Sequence, residues 1–115
     1  MSVKRKTHKD MIVVENKKEL KELIWKRIEE QGLNCNLNDI DVSKIDDMSF
    51  LFYESDFNGD ISEWDVSNVI DMSYMFHESS FNGDISEWNV SDTTDMYCMF
   101  CDSPLSGNEP KWYRP

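Results

Sequence analysis

Carboxylates recur at fixed intervals through residues 33–115 and are the most regular chemistry in this sequence. Asp39, Glu63 and Glu87 are spaced by 24 residues, as are Asp41, Asp65 and Asn89, and Glu54, Glu78 and Asp102. Asn36, Asp60 and Asp84 form a further file. Asp47, Asp71 and Asp95 form another, better suited to capping turns than to binding. Like charges stacked in rows repel by a few tenths of a kcal/mol per exposed pair, on the order of other cross-strand terms. Only Lys44, Lys111 and Arg114 are available here to relieve that repulsion. Such rows attract a basic surface through long-range steering. They do not resemble catalytic machinery: the chain has no nucleophile–His–acid set, no glycine-rich phosphate loop and no H-E-x-x-H. Asn58-Gly59-Asp60 lacks the further ligands of a calcium loop.

Cys98-Met99-Phe100-Cys101 has the C-x-x-C spacing of redox and zinc motifs. No second C-x-x-C accompanies it, and both cysteines occupy recurring side-chain slots, so packing is the expected role. His77, one repeat away from Cys101, would complete only a partial metal site, and Cys35 is too distant to join. No metal and no cofactor is assigned.

The charge is unevenly spread. Residues 1–32 hold nine Lys/Arg against six Asp/Glu, whereas residues 33–115 hold three against 17. The body therefore carries −14 against +3 for residues 1–32, and the resulting net charge of −11 opposes direct nucleic-acid binding. The longest apolar start, Met11 to Val14, is far too short for a membrane span, and no secretory signal follows the basic N-terminus. With 115 residues and three cysteines, the expectation is one small, cytoplasmic, reduced domain.

A repeat positions the carboxylates. Residues 57–80 and 81–104 agree at 15 of 24 positions, and residues 33–56 agree with the middle unit at 10 of 24. A truncated fourth unit begins at Leu105 and keeps Gly107 and Trp112 in register. Apolar files follow: Leu33/Phe57/Phe81/Leu105, Ile40/Trp64/Trp88/Trp112, Met48/Met72/Met96 and Phe52/Phe76/Phe100. A unit this short buries such side chains only against its neighbours, which implies an α/β repeat solenoid. Within each unit, Trp64-Asp65-Val66 reads as a short strand with Asp65 outward. Met72, Met75 and Phe76 read as a short helix capped by Asn68 or Asp71. Asn58-Gly59 and Asn82-Gly83 read as tight turns.

The N-terminal grammar differs. Residues 1–10 read as a disordered basic tail and 11–32 as a strand–helix cap. The solenoid, three 24-residue repeats plus the truncated fourth, occupies 33–115. Asn16 and Glu19 suggest a capping box, Leu20, Leu23, Ile24 and Ile28 an apolar stripe, and Gly32 the stop. Trp25 lies off that stripe: exposed, it would be a candidate contact residue, but packing on the first repeat is the favoured expectation. Pro110, Pro115 and Glu109 would blunt the far end.

The motif Phe-Asn-Gly-Asp-Ile-Ser-x-Trp-Asx-Val-Ser, followed by Asp-Met-x-x-Met-Phe, resembles the BspA-like leucine-rich-repeat family over residues 33–112. The family comprises bacterial surface proteins and domains of unknown function. The resemblance implies a short leucine-rich-repeat-like solenoid and a binding role.

The function expected is therefore non-enzymatic protein binding. Its most specific form is an acidic decoy that imitates the phosphate rows of nucleic acid and blocks a partner's basic nucleic-acid-binding surface. By analogy, phages use such proteins against CRISPR or restriction systems. Asp39, Asp41, Glu63, Asp65 and Glu87 would make the contact, with Glu54, Glu78 and Asp102 as the other acidic face. The partner would be a basic protein, with no membrane involved and the chain a monomer or weak dimer. A surface or adhesion fragment is the alternative.

Overall fold

The structure, a computed structural model, describes residues 11–115; the basic tail expected at residues 1–10 lies outside the described residues. Ile12–Val13 forms strand β1, Lys17–Gln31 helix α1 and Ile40–Asp41 strand β2. Asn16 starts the helix because its extended backbone leaves its side chain free to accept the Glu19 N–H at 2.9 Å. Glu19 reaches back past Asn16 to the N–H of Glu15 at 2.7 Å, one residue beyond the partner of the reciprocal capping-box bond. Gly32 ends the helix at φ 91°, donating to the Ile28 carbonyl, a backbone conformation that glycine adopts without a Cβ penalty.

Leu20 and Ile24 are buried, and Leu23 and Ile28 pack beside them. Polar contacts fasten the same helix to the first repeat. Arg27 grips Asp39 with two bonds of 2.8 and 3.1 Å, and Lys17 donates to the Ser49 hydroxyl at 3.0 Å. Beside the helix, β1 pairs in parallel with β2, Ile12 opposite Ile40 and Val13 opposite Asp41. Trp25 departs from expectation: it stands 57% exposed on the outer side of α1.

Equivalent residues of successive repeats lie above one another. Phe57 and Phe81 stack with rings 6.2 Å apart, and Phe52, Phe76 and Phe100 stack at 5.6 and 5.7 Å. The indole N–H groups of Trp64, Trp88 and Trp112 donate to the carbonyls of Leu37, Ile61 and Ile85 in the preceding repeat, at 2.9, 3.0 and 2.8 Å. Parallel bridges join Asn36 to Asp60, Asp47 to Asp71 and Asp71 to Asp95.

The local elements differ from those the sequence suggests. Trp64-Asp65-Val66 keeps its in–out–in burial but is not a strand. Turns closed by Trp64 N–H to Ile61 and Val69 N–H to Val66 bracket it too tightly for a ladder. Residues 72–79 are not helical. The alternate N–H groups of Tyr74, Phe76 and Glu78 donate instead to Tyr97, Met99 and Cys101 of the next repeat. The chain compensates with three-residue turns that place Tyr74 and Glu78 at φ 58° and 55°, a left-handed conformation costing about 1–2 kcal/mol per residue. Asp47, Asp71 and Asp95 cap these turns by accepting N–H groups two residues ahead. Asn58-Gly59 is not a turn; the N–H groups of Asn58 and Asp60 donate to the carbonyls of Leu33 and Cys35 in the preceding repeat. The glycine serves close approach, since a Cβ at Gly59 would sit 1.9 Å from the Cys35 carbonyl oxygen.

A candidate protein-binding face

The three-residue turns that replace the expected helices decide which side chains reach the surface. A left-handed residue in each turn throws its side chain away from the buried methionine and phenylalanine files. Phe50, Tyr74 and Cys98 occupy one such slot, and Glu54, Glu78 and Asp102 the other. The result is a strip of aromatic rings beside a file of carboxylates. Phe50 stacks on Tyr74 at 4.8 Å, Tyr53 on His77 at 5.4 Å, and Tyr97 meets Tyr74 edge-on at 5.5 Å. Phe50, Tyr53 and Tyr97 are exposed, Tyr97 by 63%.

The carboxylates of this face find no lysine or arginine among the described residues; Glu78 has only His77, with Nε2 3.5 Å from its Oε1. Their field is felt by a neighbour: Glu54 foremost, then burial and Glu78, raises the Tyr53 hydroxyl pKa.

The other expected file is less intact. Asp39 is engaged by Arg27, with only 21% of its side chain exposed; that partnership also raises the Arg27 pKa. Asp41, expected to point outward, is only 7% exposed and accepts the Ser43 N–H at 2.9 Å. Both corrections have one cause, since β1 and α1 cover the first repeat on this side. Glu63, Asp65 and Glu87 are exposed as expected. Asp65 holds the Ser67 hydroxyl, as Asp60 and Asp84 hold those of Ser62 and Ser86. The serine bonds lower the pKa of both Asp60 and Asp84.

Cys98 and Cys101 form a disulfide across their turn, their Cα atoms 4.9 Å apart, rather than filling two independent packing slots. The bond takes Cys101 away from His77, which removes the pairing the sequence suggested. Cys35 is a buried free thiol, and burial raises its pKa. The aromatic strip itself escaped the sequence reading. Its signal was present in Phe50/Tyr74, a file displaced from the buried ones, but a helical reading of the segment hides which side it faces.

The profile of a family described as "Mycoplasma protein of unknown function, DUF285" matches residues 19–112, from α1 through the last tryptophan of the file. No curated protein and no solved structure matches the chain. No helix among the described residues is long and apolar enough to cross a membrane.

Proposed function

The chain belongs to the DUF285 family, and from that premise we propose that it is a non-enzymatic binding protein for a basic protein partner. In this reading the stacked repeats are a short solenoid of leucine-rich-repeat type, capped by α1, that acts as a rigid support. The contact is made by Glu54, Glu78 and Asp102 together with Phe50, Tyr53, Tyr74 and Tyr97. One observation carries this: a file of carboxylates with no lysine or arginine partner among the described residues borders the exposed aromatic strip. Aromatic rings supply anchoring area at low entropic cost and hold guanidinium or ammonium groups over their faces. Flanking carboxylates supply steering and charge-assisted hydrogen bonds.

The nucleic-acid decoy is the narrower form of the same proposal. With Asp39 and Asp41 engaged elsewhere, Glu63, Asp65 and Glu87 remain as its second contact. A cytoplasmic inhibitor of the anti-CRISPR or anti-restriction type is a chain of this kind.

The test uses an arginine-rich peptide in buffer containing a chelator. Neutralising Glu54, Glu78 and Asp102 together should weaken binding at least about tenfold, while neutralising Glu63, Asp65 and Glu87 should change it little. Tyr97→Ala should weaken it without altering the salt dependence. Equal losses from the two triple variants would remove the assignment of this face. For the decoy, a basic nuclease should release DNA when the protein is added; a ternary complex would exclude mimicry.

A surface or adhesion role is the second reading, favoured by the Cys98–Cys101 disulfide, because such bonds persist in oxidising compartments. Alkylation of the protein in its native cells, before lysis, separates the two: trapped free thiols at both positions exclude the surface role.

A further inference from the structure

We propose that His77, Glu78 and Asp102 form a binding site for a divalent transition-metal ion, with zinc the best-matched. Donor atoms of the three side chains all lie within 4.8 Å of one another. Tetrahedral ligands about 2.1 Å from zinc are separated by roughly 3.4 Å. Glu78 and Asp102 are exposed and need only side-chain rotation to close that difference. The imidazole is less free, because Tyr53 stacks on one face and Tyr74 meets it edge-on at 5.5 Å. Those rings hold Nε2 towards Glu78.

One further observation points to a cation. Glu78 and Asp102 occupy the same slot of adjacent repeats, both at left-handed turn positions, so their charges face each other with no lysine or arginine paired to either among the described residues. A doubly charged ion is a fitting partner for two apposed carboxylates beside an imidazole. His77 turns Nε2, not Nδ1, towards Glu78, and Nδ1 is buried without a hydrogen-bond partner. The same feature limits the affinity. A zinc-bound histidine normally donates from its second nitrogen, and loss of that bond costs about 10–100-fold. The site is therefore weaker than a structural zinc centre, with three protein ligands and one position open to water or to a ligand from a partner.

The site uses two carboxylates of the proposed binding face but does not depend on a protein partner, so it is tested on the purified chain alone. Zinc chloride is titrated calorimetrically into the oxidised protein at pH 7.5. One-to-one binding is expected, weakened at least about tenfold by His77→Tyr and by Asp102→Asn, and unchanged by Glu63→Gln with Glu87→Gln. His77→Tyr restores the residue that Tyr53 provides in the preceding repeat, so stacking and folding persist, and unaltered thermal unfolding verifies this. Absence of saturable binding, or the parent's affinity retained in the His77 and Asp102 variants, would overturn the proposal. The peptide experiment contains a chelator, so either reading can fail without the other.

Discussion

The indole N–H of Trp88 donates to the carbonyl of Ile61 at 3.0 Å, reaching back 27 residues to the preceding repeat. Trp64 does the same to Leu37 and Trp112 to Ile85. Tryptophan thus serves twice in its file, as buried apolar area and as a second donor to a carbonyl that already closes a turn within its own repeat.

Trp88→Phe keeps the ring in the core and deletes only the donor. The Ile61 carbonyl keeps the Trp64 N–H, so the loss is that of one hydrogen bond, about 0.5–1.5 kcal/mol. Urea unfolding should show a lowered midpoint with an unchanged slope. Trp112→Phe should cost less, because that bond is only partly buried. Equal stability of Trp88→Phe and the parent would show that the bond contributes nothing.

Gly59→Ala should be among the most damaging single substitutions in the chain. The added Cβ would collide with the Cys35 carbonyl oxygen at 1.9 Å and with the Phe57 ring at 2.6 Å. Backbone must move, with an expected loss above about 3 kcal/mol. Gly107→Ala meets no atoms but sits at φ 89°, so about 1–2 kcal/mol is expected there. Thermal unfolding of the two variants gives the order directly.

Acid should destabilise the protein through particular turns. The carboxyls of Asp60 and Asp84 are lowered chiefly by the Ser62 and Ser86 hydroxyls. Asp47 is lowered too: burial pushes it up, but bonds from Ser49 and the charge of Lys17 outweigh that. A depressed folded-state pKa contributes stability that is complete above the unfolded value, 3.8 for these groups, and is lost as pH falls through the folded value. Stability should therefore decline on going below about pH 5. Ser62→Ala with Ser86→Ala should flatten that decline, as followed by urea midpoints between pH 7 and pH 3. A parallel curve would assign the acid sensitivity to other groups.

Thiol titration of the denatured, unreduced protein should detect one cysteine, Cys35, and detect all three after reduction. Three reactive thiols before reduction would mean that Cys98 and Cys101 are not joined.

The period of 24 residues was legible because stacking repeats the same environment at the same slot; Phe57 over Phe81 and Trp88 over Trp112 follow from it. The N-terminal helix was legible for a local reason: Asn16, Glu19 and Gly32 satisfy its ends without help from the rest of the chain. What the tertiary structure alone decided was where backbone hydrogen bonds go. In residues 72–79 the spacing of Met72, Met75 and Phe76 suits a helix, yet the next repeat offers carbonyls to alternate N–H groups and wins them. That outcome set the left-handed turns, exposed Phe50, Tyr53 and Tyr97, joined Cys98 to Cys101 and brought His77 beside Glu78 and Asp102. Tertiary contact likewise removed Asp39 and Asp41 from the acidic surface. Side-chain periodicity reports which residues share an environment, but partners distant in sequence determine what that environment is.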